Sequence, residues 1–139
     1  MTVYRETISI NTSGNKDMTD ISQEVNSIIK RSSVLEGTVN IFNVGSTGVI
    51  GTIEFEPGLK KDLPEFLDNL IPPGKDYGHE LTWHDGNGHS HLQATLMGPS
   101  ITIPVGNNAM LNGTWQQIFH YEADNKPRKR EIIVTVIGD

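Results

Sequence analysis

The chain of 139 residues contains no cysteine. That excludes a disulfide framework, cysteine-ligated zinc and a thiol nucleophile together, and it fits a reducing compartment. Basic residues are also scarce: 11 Lys and Arg stand against 17 Asp and Glu, a formal net charge of -6. That balance argues against a nucleic-acid partner, and the one basic cluster, Lys126 to Arg130, is short. No apolar run approaches the ~20 residues a membrane span needs. The opening MTVYRETISI lacks a basic region followed by an apolar run, so no signal peptide is expected. The expectation is a cytoplasmic protein with no membrane or nucleic-acid partner. Internal repeats and low-complexity segments are absent as well.

What is present suits one domain, 1–139, large enough to bury a core without staples. Val3 to Ile10 alternates as a half-buried strand does. Asp20 with Gln23 reads as a capping box, after which Ile21, Val25, Ile28 and Ile29 fall on one helical face. Gly37 closes that helix, and strands are expected over Thr38 to Val44 and Val49 to Phe55. Asp62 with Glu65 reads as a second capping box, with Pro64 in the first turn. Leu63, Phe66, Leu67, Leu70 and Ile71 then form a stripe that Pro72-Pro73-Gly74 stops. The remainder reads as strands: around His79 to His84, then His89 to Met97, Ile101 to Val105, Thr114 to Glu122 and Glu131 to Ile137. Two main helices early and strands late predict an α+β fold with a mixed or antiparallel sheet.

Four of the five histidines lie in His79-Glu-Leu-Thr-Trp-His84-Asp85-Gly86-Asn87-Gly88-His89-Ser90-His91. Neutral imidazole ligates zinc and does acid-base work near neutral pH. On a strand, His89 and His91 would share one side. Gly86 and Gly88 would turn the chain so that His84 folds back over them, with His79 approaching from the preceding segment. The expectation is a site of three or four histidines for a divalent metal, although the spacing matches no standard zinc motif. The loop Gly45-Ser46-Thr47-Gly48 lacks the lysine and spacing of a P-loop. Glu54, in the neighbouring strand, is a carboxylate for that loop or a solvent-facing residue. Asp62 reads first as a helix cap. Trp115 and Gln116 read as core or interface, and Arg128 and Arg130 as a solvated edge or a phosphate clamp.

HDGNGHSHLQATLMGPSITIPV, then GTWQQI, then PRKREIIVTVIG, resembles the diagnostic sequence of the YjbQ-like family, also called the secondary thiamine-phosphate synthase family. Upstream, GSTGVIGTIEFEPGLKKDL stands where the family has a His-Thr-Thr segment, an acidic residue and an Asp-Leu step. The resemblance implies a curved, half-barrel-like sheet and homotrimers with clefts between subunits. It also implies a weak activity joining a pyrimidine pyrophosphate to a thiazole phosphate. It carries the family's binding or catalytic positions onto Thr47, Glu54, Asp62, His79, Asn87, His91, Trp115, Gln116 and Arg130. One departure stands out: the family's histidine is Gly45 here, and His84 and His89 are additional. An added imidazole taking its place in the cavity is one expectation, and altered chemistry is the other.

The combined expectation is a metal-assisted enzyme acting on a small phosphorylated molecule. Glu54, His79 and His91 would be catalytic. Ser46, Thr47, Asp62, Asn87, Trp115, Gln116, Arg128 and Arg130 would bind substrate. His79, His84, His89 and His91 would hold the metal. Histidine suits zinc, whereas the synthase chemistry would call for magnesium. The alternative is a non-enzymatic trimer that holds a metal or a small anion.

Overall fold

The computed structural model describes residues 1–14 and 16–139. Strand β1 (Thr2–Asn11) leads to a short β2 (Met18–Asp20), helix α1 (Ser22–Ser32), β3 (Gly37–Val44) and β4 (Gly48–Ile53). Three helices follow, α2 (Pro57–Leu70), α3 (Gly78–Trp83) and α4 (Gly88–Met97). Strands β5 (Ser100–Gly106), β6 (Ala109–Met110), β7 (Gln117–Glu122) and β8 (Lys129–Gly138) complete the chain. The α+β class holds, with antiparallel pairing throughout the described strands. A five-stranded sheet in the order β1-β8-β3-β5-β6 is curled into a half-barrel, and β2-β7-β4 form a second sheet.

Alternation builds the first core. Tyr4, Ile8 and Ile10 of β1 turn inward, as do Val39 and Ile41 of β3 and Ile132, Val134 and Val136 of β8. Against them packs the face of α1 that carries Val25, Ile28 and Ile29, with Ile21 beside it. Burial of this aliphatic surface drives the sheet to curl around the helix. The three-stranded sheet makes a second core with α2 and α4 through Val49, Leu67, Ala94, Phe119 and Tyr121.

The inward rows do not end in apolar residues. The β3 row runs Val39, Ile41, Asn43, and the β8 row runs backwards Val136, Val134, Ile132, Arg130. In β7 the buried run ends His120, Tyr121, Glu122. A polar layer therefore caps the core where the 45–47 loop crosses from one sheet to the other, and the candidate site is built on it.

Several expected elements differ. Neither capping box forms as read. Helix α1 has Ile21 at its N-cap, and Asp20 instead accepts from the Ser22 amide at 2.9 Å. Helix α2 starts at Pro57, where the Glu56 carboxylate accepts from Gly58 N (2.9 Å) and Leu59 N (2.5 Å). Asp62 is thus an exposed mid-helix residue and Pro64 an interior proline. The acidic cap followed by proline at the first helical position was the stronger start signal. Of the α2 stripe, Leu67 is buried and Leu63 partly so, whereas Phe66 (61% exposed) and Leu70 (55%) face outward. Thr114 to Gln116 form a turn, closed by the Gln116 amide on Gly113 O at 3.0 Å, so β7 starts only at Gln117.

The segments read as strands around His79 and His89 are helices α3 and α4. In α4 the buried residues His89, Ser90, Gln93 and Ala94 follow a helical period. The helix formers Gln93, Ala94, Leu96 and Met97 outweigh the apparent alternation of the two histidines.

Leu67 anchors α2 on the second sheet at 1% exposure. Leu67→Ala is expected to cost about 2–5 kcal/mol in urea unfolding. Phe66→Ala, on the outward flank, should cost under about 0.5 kcal/mol. Equal losses would mean that α2 is rotated relative to its core.

Candidate functional site

Helices α3 and α4 meet at a turn that one buried-facing carboxylate organises. Glu80 accepts from the amides of Gly86 (2.7 Å) and Gly88 (2.8 Å). A Cβ at residue 88 would lie 2.8 Å from Glu80 Oε1 and 2.9 Å from Tyr77 Cβ, so the turn closes only on glycine. This closure sets His79 of α3 against His91 of α4, with ring centroids 4.4 Å apart and planes at 49°. His79 Nε2 lies 2.9 Å from Asn87 Oδ1 and 3.1 Å from Asp85 Oδ1. With the Asn87 amide turned over, its NH2 reaches Asp85 Oδ1 at 2.8 Å and His79 Nε2 at 2.9 Å. The amide orientation and the His79 proton are thus coupled, and both arrangements fix the ring.

Facing the histidines is a network of arginines and carboxylates. Arg130 donates from Nε to Glu122 Oε2 at 2.7 Å and from Nη2 to Thr47 Oγ1 at 2.8 Å, and Nη2 also pairs with Glu122 Oε1. Thr47 in turn donates to Asp124 Oδ2 at 3.0 Å. Arg128 donates to the same oxygen from Nε (3.0 Å) and Nη2 (2.8 Å). Burial pushes the Asp124 carboxyl up, but Arg128, Thr47 and the Asn125 amide hold it down, for a net value below the ordinary one. Asp124 is therefore an anionic post that orients Thr47 and Arg128.

These groups enclose a cleft of about 470 Å3. Ser46, Thr47, His79, Asn87, His91, Arg128 and Arg130, all candidates from the sequence, line it. Asp85, Trp83, Asp124 and Lys129 join them. His91 is held below its usual value, first by burial and then by the charge His79 carries when protonated, against the opposing pull of Asp124 and Asp85. It is therefore suited to act as a neutral base.

The other candidates lie elsewhere. Two residues apart on a helix are separated by about 200° around its axis, so His89 points away from His91. His89 lines a different cavity, and His84 is exposed in left-handed backbone at the end of α3. Among the described residues no three His, Asp or Glu side chains are grouped to hold a metal ion. The four-histidine set does not fit a zinc ion. Glu54 is exposed beyond the far end of β4, and Trp115 (70% exposed) and Gln116 sit at that same end. At roughly 3.3 Å per strand residue, the strand between them separates Glu54 from Thr47 by up to about 23 Å.

Arg130 is not a free phosphate clamp, because it is buried with its guanidinium held on both oxygens of Glu122 and on Thr47. Its Nη1 comes within 2.8 Å of where a Cβ on Gly45 would sit, and Gly45 has φ +137. Neither His84 nor His89 replaces a side chain at residue 45. A guanidinium nitrogen stands beside it instead.

Sequence reading missed Asp85, Glu80, Glu122 and Asp124. One signal was available: Glu122 and Asp124 alternate before a short turn, and Arg128 and Arg130 alternate after it. Opposite charges at matching spacing on either side of a short connection read as partners, here joining β7 of one sheet to β8 of the other. His120, also in this polar layer, is buried and hydrogen-bonded to Asn43 Oδ1 at 3.0 Å. Burial pushes it down to about 4, with Arg130 also lowering it while Glu122 and Asp17 raise it. Between pH 4 and 6.5 the unfolded chain therefore binds the extra proton, and stability falls as pH drops through that window. The expected slope is up to about 1.4 kcal/mol per pH unit. His120→Gln should remove it in urea unfolding at pH 5 and 7. An unchanged slope would place the titration on another group.

A curled antiparallel half-barrel with a histidine–arginine cleft at its polar end defines a small α+β protein with one built polar site. The sequence pattern of the UPF0047 protein YjbQ-like family matches residues 6–139. A UPF0047 protein of Methanothermobacter thermautotrophicus is 38% identical over 99% of this chain and 94% of its own length. The UPF0047 protein YugU of Bacillus subtilis is 30% identical over 96% of this chain and 98% of its own. A Sulfolobus solfataricus structure, described as a YbjQ-like protein of unknown function, superposes with a TM-score of 0.94 at 33% identity, covering 99% of both chains. A hypothetical protein from Aeropyrum pernix superposes with a TM-score of 0.85 at 30% identity, covering 96% of this chain and 99% of its own. The chain belongs to the YjbQ-like UPF0047 family. No helix among the described residues is long and apolar enough to cross a membrane.

Proposed function

We propose that the chain is a small-molecule transferase resembling the secondary thiamine-phosphate synthases, acting on phosphorylated substrates in the His79–His91 cleft. The observation that carries this reading is the pairing of two imidazoles beside the cationic Arg128 and Lys129 in one cleft. In the nominal reaction a C–N bond forms to the thiazole nitrogen as the C–O bond to pyrophosphate breaks. Arg128 and Lys129 would offset the charge on the departing pyrophosphate. His91 and His79 would handle protons, with Asn87 and Asp85 fixing His79. No step is assigned to a metal on the histidines.

We also propose that the working unit is a cytoplasmic homotrimer. Apart from Asp62, which is mid-helix in α2, the carried-over residues fall into two groups at opposite ends of β4, and one copy cannot bring them together. Leu81, Trp83, Leu92, Leu96 and Trp115 are large, apolar and exposed, which suits burial against further copies. The cleft of one copy would then receive Glu54, Trp115 or Gln116 from the next.

The test is turnover of a pyrimidine pyrophosphate with a thiazole phosphate by untagged protein, with and without chelator, alongside light scattering. Thiamine-phosphate formation by a trimer supports the reading. Phosphate binding without turnover would mean an anion-binding protein, and a monomer at micromolar concentration would remove the shared cleft.

A further inference from the structure

The Arg130 guanidinium is unevenly used. Nε and Nη2 hold the two oxygens of Glu122, and Nη2 also donates to Thr47 Oγ1 at 2.8 Å. Nη1 donates to no acceptor among the described residues. It is not sealed from water either. The unpaired side-chain atoms that are sealed are His89 Nδ1, His120 Nδ1 and the Tyr121 hydroxyl. Arg130 is 95% buried, so its small remaining surface opens where it lines the cleft beside Gly45.

The missing side chain at residue 45 is what leaves Nη1 open. A Cβ there would lie 2.8 Å from Nη1, and the one other neighbour within 4 Å is Asn43 Nδ2, at 3.6 Å. The backbone, at φ +137, is one that side-chain-bearing residues rarely adopt. Conformation and space both reserve the position for glycine. The result is a notch in the cleft wall with a cationic nitrogen beside it. Any side chain at residue 45 would crowd that nitrogen, whereas a ligand atom resting over the glycine can reach it.

A guanidinium only donates, so the atom it meets must be an acceptor. Glu122 occupies the opposite edge of the group, and the ion pair turns its positive end to the notch. Lys129 and the exposed Ser46 line the same cleft and add a second cation and a hydroxyl donor. The carboxylates of the cleft are engaged, Asp124 with Thr47 and Arg128, and Asp85 with His79. Two cationic donors around one opening favour an anion with several oxygens.

We propose that the Gly45 notch seats one oxygen of a phosphoryl group on Arg130 Nη1, with Lys129 and Ser46 on its other oxygens, and that glycine at residue 45 makes this possible. The inference rests on the cleft taking phosphorylated molecules. It adds the atom that meets the phosphoryl group and the reason the loop carries no side chain there.

The probes are inorganic phosphate and methyl phosphate, with chloride at matched ionic strength as the control. 1H–15N NMR of the arginine guanidinium groups at pH 7 follows binding in the wild-type protein. Both phosphates are expected to shift Arg130 Nη1 saturably, and chloride is not. Gly45→Ala should weaken phosphate at least tenfold, with the melting temperature and the Arg130 Nε signal reporting that the Glu122 pair survives. Should that variant fail to fold, the wild-type shifts decide alone. A Gly45→Ala affinity equal to wild type would overturn the proposal, as would an equal response to chloride. A shift with phosphate but none with methyl phosphate would mean a site for the free ion, and would overturn the assignment to a phosphorylated molecule. Phosphate that shifts Arg128 and leaves Arg130 unmoved would overturn the notch while the cleft keeps its phosphate role. No saturable shift at either arginine would also overturn the notch, and the turnover assay then judges the cleft separately.

Discussion

Arg130→Met is expected to destabilise the protein by about 3–5 kcal/mol. Glu122 is fully buried, and Arg130 is 5% exposed at the end of an inward-facing apolar row. The guanidinium binds both oxygens of Glu122, which also accepts from Thr12 Oγ1 at 2.7 Å and from the Asp124 amide at 3.0 Å. Removing the cation leaves a buried carboxylate with neutral donors alone, and that desolvated charge is the source of the cost. It also removes the donor to Thr47 Oγ1, one side of the cleft. Urea unfolding should show a lower midpoint with an unchanged slope. Adding Glu122→Gln should recover part of the loss, because no buried charge then remains. A single-variant loss below about 1 kcal/mol would show that the pair carries little, as exposed pairs do.

His91→Ala should lower turnover by about 10²–10⁴-fold, the usual contribution of a positioned proton-transfer group. The fold should survive, because His91 is only partly buried on α4. The pH profile adds a reading that a structural role would not move. Burial and the neighbouring His79 depress His91, so its neutral form persists below the usual histidine range. A rate that needs neutral His91 should rise with pH, with the midpoint of that rise below the ordinary histidine value. His79→Gln removes a charge that depresses His91, so that acidic limb should move to higher pH. A limb that stays in place would break the proposed coupling between the two rings. A His91→Ala rate within threefold of wild type would remove His91 from the chemistry.

Much of the fold was legible along the chain. The alternation of Val3 to Ile10, the helical face of Val25, Ile28 and Ile29, and the aliphatic run of Glu131 to Ile137 each fix an element locally. Side-chain period alone decides such segments when one face is buried. The site residues were partly legible for another reason. Thr47, His79, Asn87, His91 and Arg130 belong to motifs whose order along the chain resembles a known family, and they do meet in one cleft.

Sequence by itself also determined the chemical stock: imidazoles without thiols, an acidic balance, and arginines following Glu122 and Asp124. Tertiary structure alone decided how that stock was divided. His89 and His91 are neighbours in sequence, but the helix turns one into a buried cavity and the other into the cleft. Whether two residues apart means the same side or opposite sides depends on the backbone period. For α4 that period was set by Ala94 and Gln93 packing against the second sheet and α2. Arg130 could be read as a clamp from its type, yet its place in the inward row of β8 buried it against Glu122. A buried cation must take a carboxylate from close by, and only the meeting of the two sheets brings Glu122 of β7 against Arg130 of β8.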